Sequence, residues 1–104
     1  MIKLPIDIHP EARLEEDDAF NWYCRRSLMA ANAFLQEIEQ ARLAIHNSPE
    51  AWAEYLYGTR RCLLKRFPFI VAYRVTDLRI EIIAIAHSHR KPGYWADRLR
   101  PPIG

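Results

Sequence analysis

The residues best suited to chemistry stand together near the C-terminal end, in the stretch AHSHRKPGYW at 86–95. His87 and His89 are two apart, a spacing that places both rings on one side of a strand and is also used by metal ligands. A third ligand would have to come from Cys24, Cys62 or Asp97, which are remote in sequence. No metal and no cofactor is therefore expected. Arg90 and Lys91 can neutralise a phosphate or a carboxylate, and Tyr94 can carry a proton or stack on a base. Each residue also has a structural role open to it. His87 can hydrogen-bond its neighbours where a strand ends, and Arg90 can pair with a helix carboxylate such as Asp17 or Asp18. Pro92-Gly93 is a turn signal, and Tyr94 and Trp95 can cap a small core. The balance places His87 and Trp95 at the exit of a last strand and turns Arg90 and Lys91 towards a partner.

The elements that must hold this stretch follow from periodicity. Leu4, Ile6 and Ile8 alternate with Pro5 and Asp7, a first strand with one buried face. His9-Pro10-Glu11 opens a helix, and the carboxylates through Asp18 suit the positive end of its dipole. Ala12, Ala19, Phe20 and Tyr23 mark its apolar side, and Arg25 and Arg26 fall near its end. Ser27 reads as the N-cap of a second helix that runs to Asn47, with Phe34, Ile38, Ala41 and Ile45 as its stripe. Residues 48–59 read as a loop that tucks Tyr55, Leu56 and Tyr57 inward and turns at Gly58. Three strands are expected after it: Arg61–Phe67, Phe69–Val75 and Arg79–His87, separated by Pro68 and by Thr76-Asp77-Leu78.

In the last strand Ile80, Ile82, Ala84 and Ala86 fall on one side, and Glu81, Ile83, Ile85 and His87 on the other. It is apolar on nearly both sides, which places it inside the sheet. Phe34, Ile38, Phe69, Val71, Ile82 and Ala84 are expected to pack together. The order β-α-α-β-β-β describes an α+β fold, with a helical hairpin on one face of a small, mostly antiparallel sheet and residues 1–104 forming one domain.

Composition narrows the functions. The 104 residues carry 15 Lys and Arg against 13 Asp and Glu, a net charge of +2. The charges are unevenly spread: residues 1–57 hold five cations and ten carboxylates, residues 58–104 ten cations and three carboxylates. A basic half suggests an acidic or polyanionic partner. No apolar run approaches the roughly 20 residues of a membrane span, and no signal peptide is evident, so a cytoplasmic location away from membranes is expected. Cys24 and Cys62 lack C-x-x-C spacing and read as a reduced pair.

Three stretches together resemble the RelE/ParE superfamily of bacterial toxins: LLKRFPFIVAYRV, IEIIAIAHSHRKPGYW and Asp97-Arg98. So does the start, with His9-Pro10-Glu11-Ala12 opening the first helix and Trp22-Tyr23 near its end. The resemblance covers roughly residues 4–98, and its most specific part is the tail pattern H-x-x-R-x-P-x-Y-W. It implies the toxin half of a type II toxin–antitoxin module, of the plasmid-stabilisation type, held in a hetero-oligomer by a cognate antitoxin. Arg60, Arg61, Lys65, Arg66, Arg74, Arg90 and Lys91 would then bind the antitoxin or the target.

Two chemistries divide the superfamily. RelE-like members cut mRNA on the ribosome with several basic groups, and ParE-like members bind and poison DNA gyrase. The resemblance puts the nuclease's basic groups near Cys62, Leu64 and Ile70, and a one-residue shift would recruit Lys65 or Arg66. Only Arg90 has a direct counterpart. This incomplete set favours a ParE-like gyrase binder without an active site. The alternative is an endoribonuclease in which Arg90 neutralises the scissile phosphate and His87 or Tyr94 carries a proton.

Overall fold

In a computed structural model, which describes residues 3–100, the chain forms β1 (Ile6–Ile8), α1 (Pro10–Cys24), α2 (Leu28–Asn47), β2 (Ala53–Glu54), β3 (Arg60–Leu63), β4 (Phe69–Val75) and β5 (Ile80–His87). The sheet order is β1-β5-β4-β3-β2. β1 runs parallel to β5 and every other pairing is antiparallel. The two helices pack on one face of this sheet, so the α+β architecture and the β-α-α-β-β-β order hold, with β2 as an addition. No helix among the described residues is long and apolar enough to cross a membrane.

The helix boundaries follow from their caps. His9 keeps an extended backbone and its Nδ1 accepts from the Glu11 amide at 3.1 Å, while Pro10 supplies a first residue that needs no amide partner. Ser27 Oγ accepts from the Ala30 amide at 3.2 Å and starts α2. The main core lies between helices and sheet. It holds Ala12 and Ala19 from α1, Phe34, Ile38 and Ile45 from α2, and Val71, Tyr73, Ile82 and Ile85 from the strands. Phe34 meets Tyr23, Phe67 and Phe69 at ring distances of 5.4–5.6 Å.

Several expectations need correction. The stretch expected as a loop at 48–59 contains β2, a two-residue edge strand pairing Ala53 with Arg61 and Glu54 with Arg60. Of the three residues expected to tuck inward, Tyr55 and Tyr57 both meet Trp95 at ring distances of 6.1 Å, but Tyr57 stays 65% exposed at φ +58° and Leu56 is also exposed; Trp52, in the same stretch, packs against the helix-side core. The strand expected over Arg61–Phe67 stops at Leu63. The cause is Glu37 of α2, whose Oε1 accepts from the amides of Lys65 at 2.8 Å and Arg66 at 3.1 Å and bends the chain off the sheet. The first strand begins at Ile6, and the last begins at Ile80 because the Arg79 carbonyl closes the preceding turn by accepting from the Thr76 amide.

The phase of β5 also differs. Tyr73 pairs with Ile82 but Ala72 pairs with Ala84, so Ile83 is an extra residue, a β-bulge. Past it the faces exchange. Ile82 and Ile85 both meet the helices, whereas Ala84 and Ala86 join Ala72 in a second cluster on the other face, beneath Trp95. Ala84 therefore does not pack with Phe34. The three alanines form a shallow floor onto which the tail after β5 settles. That tail turns at Gly93, whose φ of +80° suits glycine and whose Cα lies against the Tyr57 ring. It ends in a 3-10 turn over Ala96–Leu99.

Candidate functional site

A cleft of about 430 Å³ opens between α1, the Pro68 turn and the end of β5. Its apolar wall is Ala19, Trp22, Tyr23, Pro68, Phe69 and Ile85; its polar rim is Glu15, Asp18, His87, Arg90 and Tyr94. The candidate nuclease residues His87, Arg90 and Tyr94 thus meet around one space. α1 presents Glu15, Asp18, Ala19 and Trp22 to it because residues three, four and seven apart share a helix face. The bulge turns Ile85 and His87, which share one side of the strand, to the helix face, and the turn at Pro92-Gly93 brings Tyr94 back over α1.

Glu15 organises the rim. Its Oε1 accepts from the Ile85 amide at 3.0 Å and from Arg98 Nη1 at 2.8 Å; its Oε2 accepts from Arg98 Nη2 at 3.0 Å and from the Tyr94 hydroxyl. Arg90 Nη1 stands 3.7 Å from the same carboxylate, and its guanidinium lies 3.6 Å above the Tyr94 ring. Arg90 is therefore paired with Glu15, in place of the expected Asp17 or Asp18. The Ile85 amide needs this carboxylate because β1 stops at the level of Ile82, leaving the rest of β5 without a strand on that side. Arg98 Nη1 completes the repair by donating to the Ile83 carbonyl at 3.1 Å.

These contacts limit the chemistry. Burial, reinforced by the Glu15 carboxylate, pushes the Tyr94 hydroxyl up to about 12, and its proton is already donated to Glu15. His87 Nδ1 accepts from the His89 amide at 3.1 Å, and its ring packs edge-on against Phe69. Among the described residues no three His, Cys, Asp or Glu side chains stand together to hold a metal ion. The cleft therefore joins an apolar wall to a polar rim whose carboxylate, Glu15, is already bound.

The other candidates do not join it. Arg60 reaches the Trp52 carbonyl at 2.7 Å and Glu54 at 3.8 Å. Arg61 stacks on Tyr55, with 4.8 Å from guanidinium to ring centre. Arg66 is held by Glu37 at 2.6 Å, and Lys65 lines a separate groove beneath α2. Arg74 is bound to Glu81 at 2.7 Å and to the Leu99 carbonyl. Lys91 borders a small dent between Tyr55 and Trp95. Cys62 and Leu64 belong to the helix-side core, and Ile70 lies on the opposite face near Ala86. Sequence reasoning missed Glu15, Arg98 and Glu37. Glu15 is three residues beyond Ala12 and four before Ala19, and Glu37 is three beyond Phe34 and four before Ala41, so both lie on apolar stripes.

A family model described as "ParE toxin of type II toxin-antitoxin system, parDE" matches residues 6–92. Among solved structures, one titled "Chromosomal ParDE TA system from P. aeruginosa" is similar, with a TM-score of 0.72 and 20% sequence identity over 82% of this chain and 96% of that one. No curated protein matches the sequence.

Proposed function

The chain belongs to the ParE toxin family of type II toxin–antitoxin systems, and from that premise we propose that it acts in the cytoplasm as a binding toxin, poisons DNA gyrase and is neutralised by a cognate antitoxin. The observation that carries this reading is the dispersal of the basic groups. Positions 62, 64 and 70, to which the resemblance assigns a nuclease's cations, hold Cys, Leu and Ile. Arg66, one residue out of register, is bound to Glu37. What gathers at the cleft is a carboxylate with Arg90, Arg98 and Tyr94 already bound to it, around an apolar wall suited to a protein partner. The meeting of His87, Arg90 and Tyr94 at one cleft favours the endoribonuclease as the second reading.

The purified chain is tested for gyrase supercoiling and, in parallel, for mRNA cleavage on translating ribosomes. Inhibited supercoiling with no RNA product is expected. Arg90→Ala should weaken gyrase inhibition modestly, and Tyr94→Phe should be nearly silent. Codon-specific cuts that fall on the order of 100-fold in Arg90→Ala would establish the nuclease instead, as for the loss of a transition-state charge partner.

A further inference from the structure

The tail after β5 covers the sheet's second face only in part. It settles on Ala72, Ala84 and Ala86. Beyond them the same face carries Arg61 of β3, which pairs with Ala72, and the loop before β3 brings Tyr57 beside it. Tyr57 is the unusual residue. Its ring is mostly exposed and its φ of +58° is one that a bulky side chain rarely adopts and that costs energy. The turn is fixed by Thr59, whose amide and hydroxyl both donate to the Leu56 carbonyl, at 3.1 and 2.6 Å. The ring stands edge-on to Trp95, and a Cβ at Gly93 would lie 3.0 Å from its Cε2. Tyr57 belongs to neither core cluster, so burial does not account for the strain. The fold holds an aromatic ring outward in one fixed pose.

Two cations stand around it. Arg61 stacks on Tyr55, and Lys91 borders the dent beside that same tyrosine. Among the described residues neither has a carboxylate within 4.0 Å, although Arg60, Arg74, Arg90 and Arg98 all do. A guanidinium held by an aromatic ring keeps its N–H edge free for an incoming carboxylate. Exposed aromatic surface between two unanswered positive charges suits a protein partner that is acidic there. A nucleic-acid backbone is matched by a longer row of cations.

We propose that this face, with Tyr57 at its centre, is where the toxin grips its protein target, and that the target presents an acidic segment to it. An apolar side chain of the target packs on the Tyr57 ring, and carboxylates beside it meet Arg61 and Lys91. A rigid, exposed tyrosine is the kind of anchor on which binding energy concentrates. Arg90 borders both the cleft and the dent beside Lys91, which places it at the rim of this contact. The inference rests on the reading of the chain as a gyrase poison, and adds to it the contact face and its chemistry.

Inhibition of gyrase supercoiling and binding of the protein encoded beside this chain's gene are measured in parallel on the full-length chain and its variants. Tyr57→Gly removes the ring and relieves the backbone. It should keep or raise the melting temperature while the concentration for half-inhibition rises about tenfold or more. Tyr57→Phe, which keeps the ring, should recover most of that loss. Lys91→Glu should weaken inhibition about threefold or more at low salt and flatten its salt dependence. The Kd for the neighbouring gene's protein should stay within about twofold in each variant. Undiminished inhibition by both Tyr57→Gly and Lys91→Glu overturns the inference and leaves the toxin reading standing. Antitoxin binding that falls as far as inhibition does assigns the face to the antitoxin and overturns it too. So does duplex DNA retained by the unaltered chain alone and released by Lys91→Glu, which assigns the face to nucleic acid. No inhibition by the unaltered chain removes the gyrase reading and the inference together. If Tyr57→Gly does not fold, Lys91→Glu, at an exposed position, decides.

Discussion

Glu15 is one of four consecutive carboxylates, yet it differs from Asp17 and Asp18 in being held between two arginines, a tyrosine and a backbone amide. Glu15→Gln keeps the shape and removes the charge, leaving Arg98, whose side chain is 14% exposed, without its counterion. The expected loss is about 3 kcal/mol, read by urea unfolding; an unchanged midpoint would mean that the tail is held by Trp95 alone. Tyr94→Phe removes one hydrogen bond and should cost about 1 kcal/mol. The same hydroxyl sets a pH dependence. Burial raises both Tyr94 and Tyr73 to about 12 from an ordinary 10. A raised value means that the folded state holds its proton longer than the unfolded one. The stabilisation is complete below pH 10 and is lost as pH climbs from 10 to 12, with a slope of up to about 1.4 kcal/mol per pH unit for each tyrosine. Equilibrium unfolding at several alkaline pH values measures it, and Tyr94→Phe should shallow the fall. Nothing in the EEDD run distinguishes its first member by type; only its place on the stripe of Ala12 and Ala19 does.

Among the elements, α1, α2 and β4 were legible because their signals are local. Pro10 and Ser27 begin the helices, and Phe69–Val75 is bounded by Pro68 and a turn. The end of β3 was not, because Glu37 sets it from 28 residues away. The phase of β5 was hidden for a related reason. Ile82, Ile83, Ala84 and Ile85 are all apolar, so alternation carries no mark of the extra residue, and the bulge shows only in pairing with β4. Two substitutions separate the faces. Phe34→Ala opens the helix-side core and should cost about 3–5 kcal/mol. Ala84→Leu should instead overpack the floor under Trp95, costing about 1–3 kcal/mol, and should alter tryptophan fluorescence. If Ala84→Leu leaves Trp95 emission unchanged and perturbs the ring of Phe34, the unbulged register is the right one.

At the scale of the whole molecule, the acidic first half and the basic second half largely answer each other. Glu15 takes Arg90 and Arg98, Glu37 takes Arg66, and Asp7 meets Arg79 at 3.6 Å. The basic half therefore presents less free charge than its composition implies: among its described residues Arg61, Lys65 and Lys91 are the cations with no carboxylate within 4.0 Å, and Arg61 and Lys65 stand on either side of Leu63. Reversing both to Glu should slow association with the antitoxin and flatten its salt dependence, with little change in the toxin's own stability. Arg66→Glu should act the other way, since it strands Glu37, which burial would raise but which Arg66 and two backbone amides hold below its ordinary value. Its main effect should be a lowered melting temperature. Stopped-flow association and thermal unfolding of the two variants, run side by side, check the contrast.

The join between Glu15 and Arg98 has a meaning in time as well as in space. Eighty-three residues separate the two in the chain, and Arg98 follows every strand of the sheet. During synthesis, the edge of β5 near Ile85 therefore stays ragged until the tail beyond the last strand has emerged. The contact that seals this edge is among the last of the fold's long-range ties for which both ends become available.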